Sequence, residues 1–242
     1  MLEGAASGDS APGAVVVSAH LDDAVLSCYS VLSPDVLVVT VLAGFPPAGT
    51  LGPWDAAGGA TDSAQRIEER RGEDRKALER SGATPVHLEF PDREYVGLGV
   101  CPPPTPQALT ASLRDYLTDA KVVFAPAAVS TNSANPLRRL RRRGRSDHRL
   151  VRDAVLSVRP DATLYADLPY ALSPDRGFVL PKELDRAGRA ERQRELDPIL
   201  VAEKLESVRC YATQLDQLVD LFGDFVNEAS LKREVLWEPL SG

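Results

Sequence analysis

The sequence predicts an α/β fold: a Rossmann-like, mostly parallel sheet flanked by helices in a single domain. Three observations predict it. Short apolar runs rich in β-branched residues alternate with helix-like segments from the N-terminus to about Asp167, the pattern of parallel strands joined by crossover helices. Such crossovers are almost always right-handed, which makes a Rossmann-like sheet the default arrangement. The 242 residues are enough for one substantial core and too few for two full domains. No repeat or linker composition divides residues 1–242, and residues 1–12 are expected to be flexible.

The first strand is read at residues 14–19, where Val15, Val16 and Val17 follow Pro12-Gly13 and give way to polar residues. Further strands are expected at 36–42, 86–90, 122–125 and 163–166, with helices between them at 24–32, 63–81, 106–118 and 147–158. The helix from Ser63 is densely charged, with Arg66, Glu69, Arg70, Glu73 and Asp74, and Ser81-Gly82 supplies its stop. Three irregular stretches, 43–62, 91–105 and 127–146, each follow a strand and are long enough to frame one pocket above the sheet. Beyond Asp167, Pro174, Pro181 and Pro198 interrupt the pattern before a helix at 201–222 and a closing strand near 235–238. This last third is expected to pack onto the sheet.

Composition narrows the function classes. A net charge of -7 argues against nonspecific nucleic-acid binding by the protein as a whole, which requires neutralising phosphates. No apolar stretch approaches the roughly 20 residues that span a bilayer. The first ten residues lack the apolar core of a signal peptide, so a cytoplasmic protein with no membrane partner is expected. Cys28, Cys101 and Cys210 are odd in number and widely spaced. They read as reduced thiols, at least one of them buried, with neither a disulfide framework nor a thiolate zinc site.

The chemistry concentrates in Ala19-His20-Leu21-Asp22-Asp23, at the end of the first strand. Residues at the carboxyl end of such a strand face the ligand crevice of open α/β sheets. His20 and Asp23 can turn a nitrogen and an oxygen toward one zinc ion, whereas the competing reading makes one aspartate the cap of the next helix. Capping does not explain the histidine. Of the other two histidines, His87 lies inside a strand without an acidic cluster in sequence and reads as structural. His148, in Arg145-Ser146-Asp147-His148, opens a helix after a long loop. Two imidazoles and one carboxylate leave a coordination position open, the layout of a catalytic zinc site.

These residues resemble the PIG-L/LmbE-like family of zinc-dependent N-deacetylases, which includes deacetylases of N-acetylglucosaminyl conjugates and amidases of mycothiol metabolism. The family carries an Ala-His-Pro/Leu-Asp-Asp motif after its first strand and a second motif ending in Asp-His. Here the matches are His20, Asp22 and Asp23, then Asp147 and His148. Weaker similarity covers the helix with Arg70, Arg71 and Glu73, then Phe90-Pro91-Asp92, Asp167-Leu168-Pro169-Tyr170, and a late helix with Tyr211. The resemblance implies that His20, Asp23 and His148 bind Zn²⁺ and that Asp22 is the general base; Asp147, beside His148, suits a carboxylate that orients a ligating histidine or, equally, one that caps its helix. It implies hydrolysis of an N-acetyl group on an amino-sugar-containing small molecule or conjugate. Arg70, Arg71, Asp92, Arg93, Arg143, Tyr170 and Tyr211 are the candidate substrate contacts. Trp54 and Tyr95, in the irregular stretches, suit a sugar surface as well.

Three residues depart from the family pattern, and one of them matters most. Leu21 and Ala24 match a subset of members, but Arg145 stands where many place a histidine that stabilises the oxyanion or donates a proton. An arginine supplies hydrogen bonds and charge but is a poor acid, so Arg145 is read as a catalytic residue in an altered role. The alternatives are a catalytically degenerate member that keeps a metal or ligand pocket, or an amidase acting on a larger amide. Arg145 also ends a block with Arg138, Arg139, Arg141, Arg142 and Arg143. Such a run is a solvated loop or, beside a pocket, a holder of a phosphate or carboxylate on an anionic or phosphate-linked amino sugar. RNA binding is disfavoured, because no aromatic residues interleave the arginines. A homo-oligomer is compatible with the sequence, which leaves the oligomeric state open.

Overall fold

The computed structural model describes residues 12–128, 147–171 and 188–240. They form a single α/β domain around a 7-stranded sheet of order β3-β2-β1-β4-β5-β7-β6. The strands are β1 (Ala14–Ser18), β2 (Val36–Thr40), β3 (Thr84–His87), β4 (Val122–Pro126), β5 (Thr163–Tyr165), β6 (Arg189–Glu195) and β7 (Arg233–Pro239). The first five are parallel, β1 pairing with β2 from Ala14↔Val36 to Ser18↔Thr40 and with β4 from Ala14↔Val122 to Val16↔Phe124. Strand β7 runs antiparallel between β5 and β6. Chain order reverses between β1 and β4, and at such a switch point the carboxyl ends of the strands open a crevice.

The helices are α1 (Asp23–Ser27), α2 (Pro53–Ala57), α3 (Ser63–Glu79), α4 (Arg93–Gly97), α5 (Pro106–Leu117), α6 (Asp147–Val158), α7 (Pro198–Val208), α8 (Ala212–Phe222) and α9 (Glu228–Leu231). Val15, Val16 and Val17 are fully buried, because β1 is covered on both faces. On α5, Leu109, Leu113 and Leu117 recur every fourth residue on one face, and all three are fully buried. Each such leucine contributes about 1.5–3 kcal/mol by leaving water. Thr105 begins this helix by accepting the Ala108 N–H at 3.1 Å, and Pro106 sits at its first turn.

Several elements differ from the sequence reading. The helix expected at 24–32 stops at Ser27, and a 3-10 turn follows at Tyr29–Val31. The third strand lies earlier than expected, at Thr84–His87, with Pro85 tolerated because β3 is a sheet edge. The helix expected at 201–222 is two helices, broken so that Tyr211 turns its ring into the core. Two five-residue helices, α2 and α4, interrupt the stretches read as irregular. Strand β6 has no apolar alternation because it is the opposite edge, with its middle residues exposed. The flexible N-terminus, Pro174, Pro181 and nearly all of the 127–146 loop lie outside the described residues. Cys28 is buried, and all three cysteines are free. Among the described residues no helix is long and apolar enough to cross a membrane.

Candidate metal centre

Strand β1 delivers His20 two residues beyond its end, and α1 begins with Asp23. The Asp23 carboxylate turns back and accepts the His20 backbone N–H through Oδ2 at 2.8 Å, which closes the strand-to-helix turn and keeps the two side chains together. Asp22 occupies the N-cap position of α1 without making a side-chain capping bond. Helix α6, which follows β4 in the chain, supplies buried His148, whose Nε2 lies 3.0 Å from Asp23 Oδ1. His20 Nδ1 is 3.7 Å from Asp23 Oδ2, and the two imidazole centroids are 5.0 Å apart. One donor atom from each of His20, Asp23 and His148 lies within 4.8 Å of the others. Four-coordinate zinc with bonds of about 2.0–2.1 Å needs donors roughly 3.3 Å apart, so small side-chain shifts would let this set hold a divalent ion.

His20 faces two more carboxylates with its other ring nitrogen: Nε2 lies 3.4 Å from Asp92 Oδ2 and 3.7 Å from Asp147 Oδ2. These three form a second donor group that shares His20. One histidine serves both groups, and the set with two imidazoles is the better match to zinc. Desolvation opposes charge on both imidazoles. The carboxylates of Asp147, Asp92 and Asp23 outweigh it and hold His20 well above its ordinary pKa, while Asp23 and Asp167 raise His148. Burial would lift Asp23, but the neighbouring His148 and His20 hold it below the usual carboxylate range. Asp22 is pushed up to about 6 by burial and then by the charge of Asp23. Five carboxylates, Asp22, Asp23, Asp92, Asp147 and Asp167, around two imidazoles make a site that attracts a cation.

The site borders a cavity of about 320 Å³. His20, Asp22, Asp92 and Asp147 line it beside Arg70, Glu94, Tyr95 and Gln214, and Leu21, Leu42, Trp54, Ile67, Tyr170, Leu218, Leu221 and Phe222 supply apolar wall. The structure therefore brings Arg70, Asp92 and Tyr170 together at the cavity. Arg70 pairs with buried Asp55 at 2.9 Å, and Asp55 accepts the Tyr95 hydroxyl at 2.7 Å. Trp54 both lines the cavity and anchors its loop: its backbone N–H donates to the Glu94 carboxylate, and its backbone carbonyl accepts from Gln217 Nε2 at 2.8 Å.

Other candidate contacts face elsewhere. Arg71 donates to the Ala43 carbonyl at 2.9 and 2.6 Å and to Glu89 at 2.7 Å, and stacks over Phe45, so it ties α3 to the loop after β2. Tyr211 is fully buried and donates to Asp74 Oδ1 at 2.8 Å, while His87 Nε2 meets Asp74 Oδ2 at 2.8 Å. His87 is thus bonded away from the cavity, as its strand position suggested. Arg93 is exposed at the start of α4 and is not on the cavity wall. Arg143, Arg145 and the other arginines of the run lie outside the described residues.

Sequence reasoning did not single out Glu94, Gln214, Leu218, Leu221 or Phe222. The last four share α8, whose apolar residues read as an ordinary core-facing stripe. Only the break at Tyr211 and the two short helices α2 and α4 place them at the cavity.

The comparisons agree with this architecture. The zinc-inhibited form of teicoplanin deacetylase superposes with a TM-score of 0.68 at 23% identity, over 93% of this chain and 96% of the other. The A40926 pseudoaglycone deacetylase gives 0.64 at 24% identity, over 96% and 100%. N,N'-diacetylchitobiose deacetylase from Pyrococcus horikoshii gives 0.55 at 14%, over 95% and 84%. At these identities the likeness attests a shared fold. No curated protein matches significantly. The model of the GlcNAc-PI de-N-acetylase family, PIG-L, matches residues 15–159, more than half of the chain and the span that contains His20, Asp22, Asp23, Asp147 and His148, and on that match the chain belongs to the PIG-L family.

Proposed function

We propose that this protein is a zinc-dependent hydrolase that removes an N-acetyl group from an amino-sugar-containing small molecule or conjugate. The observation that carries the reading is the convergence of His20, Asp23 and His148 at the carboxyl end of β1, with Asp22 beside them on the cavity wall. Family membership supports the reaction class. The fold neighbours include a deacetylase described in a zinc-inhibited form and one acting on diacetylchitobiose.

His20, Asp23 and His148 would hold the ion, and bound zinc would polarise the amide carbonyl and acidify water. Asp22 makes no capping bond and opens on the same cavity, so its carboxylate is the group to take the proton from attacking water. Asp147 and Asp92, beside His20 Nε2, fix the ring's orientation and tautomer. Arg70 and Asp92 offer donors and acceptors for sugar hydroxyls, and Tyr170 packs against His148 with ring centroids 4.9 Å apart. Because arginine is a poor proton donor, Asp22 returns the proton to the leaving amine. The charge run before Asp147 favours an anionic or phosphate-linked conjugate. The site is reached without any membrane segment among the described residues, and a cytoplasmic setting fits the reduced cysteines.

Metal analysis combined with acetate release from a panel of N-acetylated amino sugars tests the reading. One zinc per chain with acetate released supports it. Zinc without turnover of any substrate supports the degenerate binding member that Arg145 suggests, and release of a larger acid or amine, read by product mass, supports the amidase.

A further inference from the structure

We infer that Ser27 is a positioning residue for His148: its hydroxyl fixes Leu168, and with it the turn that carries Tyr170 against that histidine. The inference rests on the metal reading above and deepens it, since Ser27 is neither a candidate donor nor part of the cavity wall. Serine is an unusual residue for this place. It is a mediocre helix former because its hydroxyl competes for backbone partners, yet Ser27 closes α1 with only 1% of its surface exposed. Its Oγ has a partner from outside the helix: it accepts the Leu168 backbone N–H at 3.0 Å, across 141 positions of the chain. Leu168 is itself buried, and a buried N–H needs such an acceptor.

Leu168 belongs to a turn, residues 167–171, which Ala171 closes by donating its N–H to the Asp167 carbonyl at 2.7 Å. Two residues of this turn bear on His148. Tyr170 packs edge-on against the imidazole with centroids 4.9 Å apart and planes at 62°, and the buried carboxylate of Asp167 acts on it alongside that of Asp23. His148 Nε2 meanwhile meets Asp23 Oδ1 at 3.0 Å. Asp23 and Ser27 open and close α1, four residues apart and so on one face, about 6 Å from each other along the axis. The contacts close a ring: Asp23 to His148, His148 to Tyr170, Tyr170 through Leu168 to Ser27, and Ser27 along one helical turn back to Asp23. One end of α1 therefore meets the imidazole directly, and the other sets where the Tyr170 ring stands against it. The turn has a second anchor, because Ala166 donates to the Val235 carbonyl on β7 at 2.9 Å. Loss of the Ser27 bond thus leaves the sheet intact and frees the turn to shift.

The test is zinc affinity under a competing chelator, with the visible spectrum of the cobalt(II)-loaded protein as reporter of ligand geometry, on the full chain carrying Ser27→Ala, Tyr170→Leu or both. Replacing a group that orients a metal ligand costs about 10–100-fold in affinity; Ser27 acts one step further out, so about 3–10-fold is expected for Ser27→Ala. Its cobalt bands are expected to shift, and Ser27→Thr, which keeps the oxygen, to restore both affinity and spectrum. Because both residues act on His148 through one turn, the double variant is expected to lose little more than Tyr170→Leu alone. A hydroxyl that only stabilises the fold would lower the urea midpoint and leave affinity and spectrum unmoved, and that result overturns the inference. Losses that add in full in the double variant also overturn it, since the two residues then act independently. Should Ser27→Ala not fold, Tyr170→Leu reads the same turn from its other end, and unchanged affinity there overturns the inference equally. An unmodified protein that binds neither zinc nor cobalt removes the metal reading and the inference with it; metal binding that Ser27→Ala leaves unchanged removes the inference alone.

Discussion

His148 Nε2 stands 3.0 Å from Asp23 Oδ1, across a separation of 125 positions in the chain. This contact joins the start of α6 to the start of α1 at the sheet's switch point and draws the two sequence motifs into one site. His148→Ala removes one of the three proposed donors, so zinc affinity is expected to fall by far more than ten-fold. Isothermal titration with zinc under a competing chelator measures it, and unchanged affinity would remove His148 from the ligand set.

In the proposed site Asp147 acts one step further out, through His20, whose Nε2 lies 3.7 Å from its Oδ2. Replacing a carboxylate that orients a ligating imidazole costs roughly 10–100-fold in metal affinity, and that range is expected for Asp147→Asn. Competition with a chromogenic chelator reads it directly. A change in KM alone, with affinity retained, would instead make Asp147 a substrate contact.

Tyr211→Phe separates structure from substrate binding. The hydroxyl donates to Asp74 in the interior, and leaving that carboxylate oxygen short of a partner costs about 1–3 kcal/mol. Urea unfolding is expected to show a loss of this size, with KM and zinc content retained. Loss of substrate affinity without loss of stability would return Tyr211 to the cavity.

Acid stability carries a signature of Asp161. Its carboxylate accepts from Arg159 at 2.9 and 2.8 Å, and these hydrogen bonds hold its pKa below the ordinary value. Arg159 in turn donates to the carbonyls of Leu117 and Ala120, tying the end of α6 to the end of α5. A depressed carboxylate pKa stabilises the fold above the unfolded-state value of about 3.9, and this stabilisation is lost as pH falls through the lower folded-state value. Asp161 is 60% exposed, so solvent screening limits the contribution to under about 1 kcal/mol. Asp161→Asn is expected to lower stability by that amount at neutral pH and to match the unmodified protein near pH 2. An equal difference at both pH values would contradict the account.

The fold was legible wherever burial on both faces left an apolar run. Val15 to Val17 announced β1, and the leucines of α5 announced their face. Strand β6 was not legible because both of its sides are largely wet, so Arg189 to Glu195 show no alternation. Helix α3 is a subtler case. Its charges predicted a helix but not that Arg66, Arg70, Arg71 and Asp74 would be buried, because their partners, including Gly58, Asp55, Ala43, His87 and Tyr211, come from other elements. At the site, the strand-end motif was readable as a candidate metal site from its own residues, and His148 joined it as the one other histidine placed at a helix start after a long loop. The apolar wall of α8 carried no separate signal, since a cavity-facing leucine and a core leucine have the same spacing.

The central claim divides two adjacent aspartates: Asp23 for the ion and Asp22 for the proton. The most direct test is zinc stoichiometry and turnover measured together on Asp22→Asn. The account predicts one zinc per chain and turnover reduced about 10²–10⁴-fold. Undiminished turnover, or loss of the zinc itself, would contradict it.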